Sequence, residues 1–233
     1  MWELWKHFKV EDEMKNMGNF YYHGSRKENG VTLTFDDGPS QETEKVLDIL
    51  KKYKAKATFF IWGQRIKGRE RIIKKILKEG HEIGNHTFSH KSLWFKSKRF
   101  IKEDIEKCDK ELRNIRVKTD LFRFPSFRFG INAIVVCKGL KKKVIFCDVI
   151  SNDWLDPYLR KKYDKKGSIK IDKVVRKVLD RTKSGSIISF HDYLEGIGPN
   201  REIVPILEKV IPGLEKKGYK LVTVSDLLNF KLS

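Results

Sequence analysis

Cysteine, proline and long apolar runs are all scarce in this 233-residue chain. The three cysteines (Cys108, Cys137 and Cys147) are odd in number and lack CxxC spacing, which argues against a disulfide framework or a thiolate zinc site. They fit a reducing compartment or no redox constraint. With only six prolines and no Pro/Gly-rich or long polar stretch, no linker divides the chain. One domain with a large core is expected. The longest apolar runs, residues 57–62 and 187–190, are far too short to span a bilayer and suit strands buried on both faces. The start, residues 1–8, lacks the apolar stretch that follows a basic head in a signal peptide. The expected location is therefore cytoplasmic or peripheral to the inner membrane face. Trp2, Leu4, Trp5 and Phe8 fall on one side of a short helix, so residues 1–30 read as an extension packing on the domain or at a membrane surface.

Acidic residues are also under-represented: 31 Asp and Glu face 50 Lys and Arg, for a net charge of +19. Such a field attracts anions at long range. Basic clusters occur at Lys138, Lys141, Lys142 and Lys143, and at Arg160, Lys161, Lys162, Lys165 and Lys166. They fit a solvated Lys/Glu-rich surface of the thermophile kind, or association with an anionic polymer or a membrane surface. No RNA- or DNA-binding motif accompanies the charge, so nucleic acid is disfavoured as a partner. The hydrophobic share of 39% and aromatic share of 12% indicate a folded protein.

From residue 31 onward, strand and helix patterns alternate. Strands are expected at 31–37, 57–63, 81–85, 121–124, 143–149, 186–191 and 220–224. Helices are expected between them, including 69–79, 97–114 and one around 131–140. Ser40 is a plausible N-cap, with Glu42 and Glu44 near the positive end of the helix dipole. Pro212 should kink or interrupt the last long helix. This alternation implies parallel strands covered by helices, closed by right-handed crossovers into a barrel. A doubly wound open sheet is the alternative, but no Gly-rich phosphate loop marks a nucleotide site.

Acids and histidines recur at the strand ends, where such a barrel places its active site. His86 and His90 are four apart, so on a helix they would share a face and could bind one ion. Asp37 could add an oxygen ligand. Two imidazoles and a carboxylate leave coordination positions open, as catalytic sites require. Non-haem iron uses similar ligands, so ligand type does not settle the ion. Asp36 stands beside Asp37. Alternate strand residues face opposite ways, but a turn at Gly38-Pro39 could bring both acids to the site; Asp-Gly-Pro by itself also fits an ordinary turn. Arg123 by itself fits a surface residue of a basic protein, and His191, beside Asp192, fits a structural histidine.

Five stretches carry these residues: Thr34-Phe35-Asp36-Asp37-Gly38-Pro39, His86-Thr87-Phe88-Ser89-His90, Phe122-Arg123-Phe124-Pro125, Asn152-Asp153-Trp154 and Ser189-Phe190-His191-Asp192. Together and in this order they resemble the motifs of the polysaccharide deacetylases, the NodB-type enzymes of carbohydrate esterase family 4. The resemblance spans residues 31–228 and implies a distorted (β/α) barrel of seven or eight parallel strands over residues 31–233. It also implies one divalent metal ion, zinc before cobalt, nickel, manganese or iron(II). By that resemblance Asp37, His86 and His90 hold the ion, Asp36 is the general base and Arg123 orients it. The amide after Pro125, here that of Ser126, helps stabilise the oxyanion. His191 protonates the leaving amine, with its pKa tuned by Asp153, and Trp154 lines the substrate groove.

Two positions depart from the family pattern. Ser126 stands where Tyr or Phe is usual, leaving Phe127 or Phe129 to contact a sugar. Ser189 stands where Leu usually lines the acetyl pocket, which leaves formyl release open. The implied activity is hydrolysis of a linear, non-peptide amide in an N-acetylated amino sugar of a polysaccharide or oligosaccharide. The alternatives are deformylation or deacetylation of a lipid-linked amino sugar, and a catalytically silent carbohydrate- or polyanion-binding protein.

Overall fold

The computed structural model describes residues 19–154 and 167–229. Strands and helices alternate as β1 (Phe20–Tyr21), β2 (Gly30–Asp36), α1 (Gln41–Lys52), β3 (Ala57–Ile61), α2 (Glu70–Lys78), β4 (Glu82–Asn85), α3 (Lys98–Asn114), β5 (Leu121–Phe122), α4 (Ile131–Gly139) and β6 (Lys143–Ile145). They continue as β7 (Val149–Ile150), α5 (Gly167–Arg181), β8 (Ile187–His191), β9 (Tyr193–Leu194), β10 (Gly198–Pro199), α6 (Ile203–Lys216), β11 (Lys220–Leu221) and α7 (Val224–Leu227). The main sheet runs β1-β6-β5-β4-β3-β2-β8-β7, with β11 paired to β2. All its pairings are parallel. Read as a ring, β2 to β8 follow chain order and return to β2. The one opening lies between β1, which pairs with β6, and β7, and only residues 146–148 connect β6 to β7. That link spans at most about 14 Å, so the two ends of the sheet curl toward each other. The result is a distorted (β/α) barrel with eight strands in its path. The strand order never reverses, which excludes the doubly wound alternative.

Alternation along each strand assigns residues to two layers. Val31, Leu33 and Phe35 of β2 and Phe59 and Ile61 of β3 face outward into the main core with the helices. Facing inward are Phe60, Leu121, Ile145 and Ile187, with Cys147 beyond β6; Val224 and Leu227 of α7 join them at the base of the barrel. The interior is therefore packed, and its upper layer turns polar. Helix α1 begins as its sequence indicates: Ser40 caps it, and a capping box with Thr43 satisfies the first amides.

Three expectations are corrected. The strand expected over 143–149 breaks into β6 and β7, because the chain leaves β6, next to the β1 edge, and re-enters the sheet at its other edge. Helix α6 runs through Pro212 uninterrupted. The basic cluster near residue 140 is partly neutralised, because Lys142 is buried against Asp109 at 2.8 Å and Lys143 pairs with Asp120 at 2.9 Å. The second basic cluster and Trp2, Leu4, Trp5 and Phe8 lie outside the described residues. No helix among the described residues is long and apolar enough to cross a membrane.

Gly84 shows how full the interior is. A Cβ there would lie 2.4 Å from two carbons of the Phe60 ring, and that ring is in turn covered by the Arg123 guanidinium at 4.1 Å. Gly84→Ala should therefore destabilise the fold by about 1–3 kcal/mol through overpacking, measurable as a lower midpoint in urea unfolding.

Candidate active site

The candidate residues gather at the carboxyl ends of the strands. Register does much of this: Asp36 at the end of β2 pairs with Phe60 on one side and His191 on the other, and Thr34 pairs with Ser189. The chain then turns sharply. Asp37 has φ 72°, a left-handed conformation that a non-glycine residue adopts only under compensation. The turn carries its carboxylate to the same side as that of Asp36, which the alternation of an extended strand would forbid. Gly38 is required for contact reasons, since a Cβ there would come within 2.6 Å of the Asp192 carboxylate. Asp192 is buried and takes a hydrogen bond from the Thr43 hydroxyl, and its backbone oxygen accepts from Ser40 at 2.8 Å. Burial pushes its carboxyl up to about 7.

His86 and His90 are brought together by a bent loop and not by the helix expected from their spacing. Thr87 and His90 have φ 65° and 57°. The loop is braced residue by residue: His86 N–H donates to Ile61 O at 3.0 Å, Thr87 N–H to Asn85 Oδ1 at 2.7 Å, and Phe88 N–H to Asp104 O at 3.2 Å. Ser89 donates to both Asp104 carboxylate oxygens, and His90 N–H to Thr87 Oγ1 at 3.0 Å. Such bracing offsets roughly 1–3 kcal/mol of strain per left-handed residue.

The Nε2 atoms of His90 and His86 approach Asp37 Oδ1 to 2.9 and 3.4 Å, yet this buried oxygen has no hydrogen-bond partner. The three groups offer ligand atoms all within 4.8 Å of one another. Ligand atoms converging at this spacing are what a cation site presents, and the donor set suits a divalent ion with open positions. Both Nδ1 atoms are held from behind: that of His86 lies 2.9 Å from Arg123 O, and that of His90 3.0 Å from Glu195 Oε2. Such outer contacts fix ring orientation at metal sites. Burial alone would raise the Asp37 carboxyl; the two imidazoles outweigh it and hold the group well below the usual carboxylate range.

Arg123 is no surface residue. It is fully buried, and Nη1 donates to Asp36 Oδ1 at 2.8 Å and Thr34 Oγ1 at 2.7 Å. Nε donates to Ile145 O at 3.0 Å and Nη2 to Phe146 O at 3.1 Å. The other Asp36 oxygen accepts from the Ser189 hydroxyl at 3.3 Å. Across the site, His191 Nδ1 lies 2.9 Å from Asp153 Oδ1, and His191 N–H donates to Asp153 Oδ2 at 2.7 Å. Ser151 and Asn200 also donate to Asp153, at 2.8 and 3.0 Å. Burial opposes the imidazolium, but Asp153, then Asp37 and Asp36, overcome it and push His191 up to about 10. Asp148 is not a rival partner for His191: it binds Arg26 at 2.9 Å, Ser186 and the amide of Ile187, the first residue of β8. Asp156 lies outside the described residues.

The remaining expected residues are placed as follows. Pro125 is buried in a short 3-10 turn, Ser126 after it is exposed with φ 51°, and Trp154 is exposed. Phe129 is 3% exposed and stacks on Phe124 at 4.1 Å, so it belongs to the core and cannot meet a sugar. Ser189 is 1% exposed with its hydroxyl turned to Asp36, so it acts first on that carboxylate. Thr34, Asn200 and Glu195 join the site without having been singled out as site residues from sequence. Thr34 stands in the first motif, but nothing local marks the other two.

A family model described as polysaccharide deacetylase matches residues 23–142. The chain is 32% identical over 225 residues to a peptidoglycan-N-acetylglucosamine deacetylase of Bacillus cereus, covering 95% of this chain and 99% of that one. The chain belongs to the polysaccharide deacetylase family. It is also 31% identical over 212 residues to the peptidoglycan-N-acetylmuramic acid deacetylase PdaA of Bacillus subtilis, covering 89% of this chain and 74% of that one. Its fold is similar to the crystal structure of the Bc1960 peptidoglycan N-acetylglucosamine deacetylase, with TM-score 0.83, 28% identity, and 96% and 97% of the two chains covered.

Arg123→Met leaves the Asp36 carboxylate buried without its cation. Removing one partner of a buried pair costs about 3–5 kcal/mol, so chemical denaturation should show a loss of that size. The loss should shrink in the Asp36→Asn/Arg123→Met double variant, where no charge is stranded.

Proposed function

We propose that this polysaccharide deacetylase family member is a metal-dependent hydrolase that removes N-acetyl groups from the amino sugars of peptidoglycan. The observation that carries the reading is the buried Asp37 oxygen facing two imidazole nitrogens, beside an Arg-held carboxylate and an Asp-held imidazole. The substrate class rests on the likeness to the peptidoglycan deacetylases. Asp37, His86 and His90 would hold the ion, with zinc the first expectation. When bound, a divalent cation there polarises both a water molecule and the amide carbonyl.

The protein's own groups divide the proton transfers. Asp36 takes the proton of the attacking water; Arg123 and Ser189 fix its two oxygens so that it remains aimed. The Ser126 amide, at an exposed turn beside the site, faces the developing oxyanion. His191 delivers a proton to the departing nitrogen, and Asp153 keeps it charged until then. Trp154 offers an exposed ring to the sugar.

The two acids should separate experimentally. Asp36→Asn removes a base and no ligand, so metal content should stay stoichiometric while acetate release from peptidoglycan fragments falls roughly 10²–10⁴-fold. Asp37→Asn should lose metal first, by elemental analysis. Equal metal loss in both variants would refute the division of roles.

The acid carries its own pH signature. His191 must be protonated to act, and Asp153 raises its pKa, so activity should fail only as pH rises through that raised value. Asp153→Asn removes the attraction and should shift the alkaline limb of kcat/KM downward by about one unit or more. An unmoved limb would mean another group supplies the proton.

A further inference from the structure

We propose that residues 91–96 and the exposed face of α4 form a docking surface for an anionic lipid bilayer. The segment directly follows His90 on the rim that carries the candidate site. It holds the most exposed large apolar side chain among the described residues, Phe95 at 93%, next to Trp94 at 36%. Beside them α4 presents Ile131 at 68% and Val135 at 44%, four apart and hence on one face. The tip is a built feature. Leu93 is buried beneath it, bridges Phe129 and donates its N–H to Arg128 O at 3.0 Å. Lys96 O accepts from Asn132 at 3.0 Å, which pins the loop to the first turn of α4. Between these anchors Phe95 is held at φ 58°, a strained backbone whose result is to leave an aromatic ring in water.

Charge identifies the occupant. Residues 83–102 and 121–147, which supply the loop, the start of α3 and all of α4, contain no Asp or Glu. Lys91, Lys98, Arg128 and Lys138 are exposed, and none has an ion-pair partner among the described residues. Aromatic side chains favour the bilayer interface, and lysines and arginines around them attract anionic headgroups. The Trp94 and Phe95 rings meet at 78°, so they form a wedge and not the flat platform that stacks on a sugar. Four apolar side chains are also too few for a stable contact between two copies of the chain. Docked this way, the rim carrying the candidate site would lie next to the membrane surface. The proposal stands independently of the deacetylase reading, since it concerns binding alone.

The test is co-sedimentation of the full chain with phosphatidylcholine vesicles, with and without phosphatidylglycerol. The wild type should bind the anionic vesicles. Phe95→Ser, and more strongly Trp94→Ser/Phe95→Ser, should reduce the partition, by at least about tenfold in the double variant. Lys91→Glu/Lys98→Glu should do likewise and remove the preference for phosphatidylglycerol. Circular dichroism and thermal midpoints should be unchanged, because Phe95 makes little use of the fold. Failure of the wild type to bind, or aromatic variants that bind as the wild type does, would overturn the proposal. It would also fall if the aromatic variants lost binding to isolated peptidoglycan and not to vesicles, or if they dissociated a dimer in sedimentation velocity.

Discussion

A guanidinium with no exposed surface is tolerated only where its donors are matched, because desolvating the charge costs several kcal/mol. At Arg123 they are matched by atoms from different strands: the Asp36 carboxylate and Thr34 hydroxyl of β2, and the carbonyls of Ile145 and Phe146 at the end of β6. Its planar face covers Phe60 of β3, and its own carbonyl meets His86 after β4. One side chain thus ties together the strand ends from β2 to β6, on the opposite side of the opening from β7. Misplacing it would disturb the base, a candidate ligand and the packing of the barrel together. A lysine could not substitute, since a single ammonium lacks the fork that reaches these acceptors.

The same geometry gives the proposed base and the proposed acid separate partners within one site. Asp36 and His191 are register neighbours on β2 and β8. Each is committed elsewhere: Asp36 to Arg123, and His191 to Asp153. Asp153 is itself held in place by donors from Ser151, Asn200 and the His191 amide. A carboxylate held by a guanidinium and an imidazole held by a carboxylate are the arrangement that the proposed amide hydrolysis calls for.

Much of this was legible in the sequence, and what was not has identifiable causes. The alternating elements, the barrel class and the strand-end acids follow from periodicity, which reports burial. The loop of His86 and His90 defeated periodicity: a spacing of four looks helical, but left-handed residues at Thr87 and His90, braced by Asn85 and Asp104, achieve the convergence instead. Arg123 looked like one more cation in a basic chain, because composition carries no burial information for a single arginine. Asn200 and Glu195 reach the site through the turns after β8, and no local pattern encodes contacts that the tertiary fold makes. The cluster near residue 140 looked like a charge patch, yet Lys142 closes a buried link from Asn85 through Asp109.

Ser189 shows why a departure from a family pattern has to be judged in three dimensions. From sequence alone, a hydroxyl in place of leucine suggests a more polar acyl pocket. In the fold, the side chain sits beneath the second oxygen of Asp36, in the same polar layer as its register partner Thr34. A leucine there would remove a donor from the carboxylate and set apolar volume against it. The substitution therefore bears on how the base is held before it bears on the acyl group. Thr34 and Ser189 approach Asp36 and its arginine from neighbouring strands. The polarity of this layer accordingly follows from the need to give one buried carboxylate and its arginine hydrogen-bond partners inside an otherwise apolar barrel.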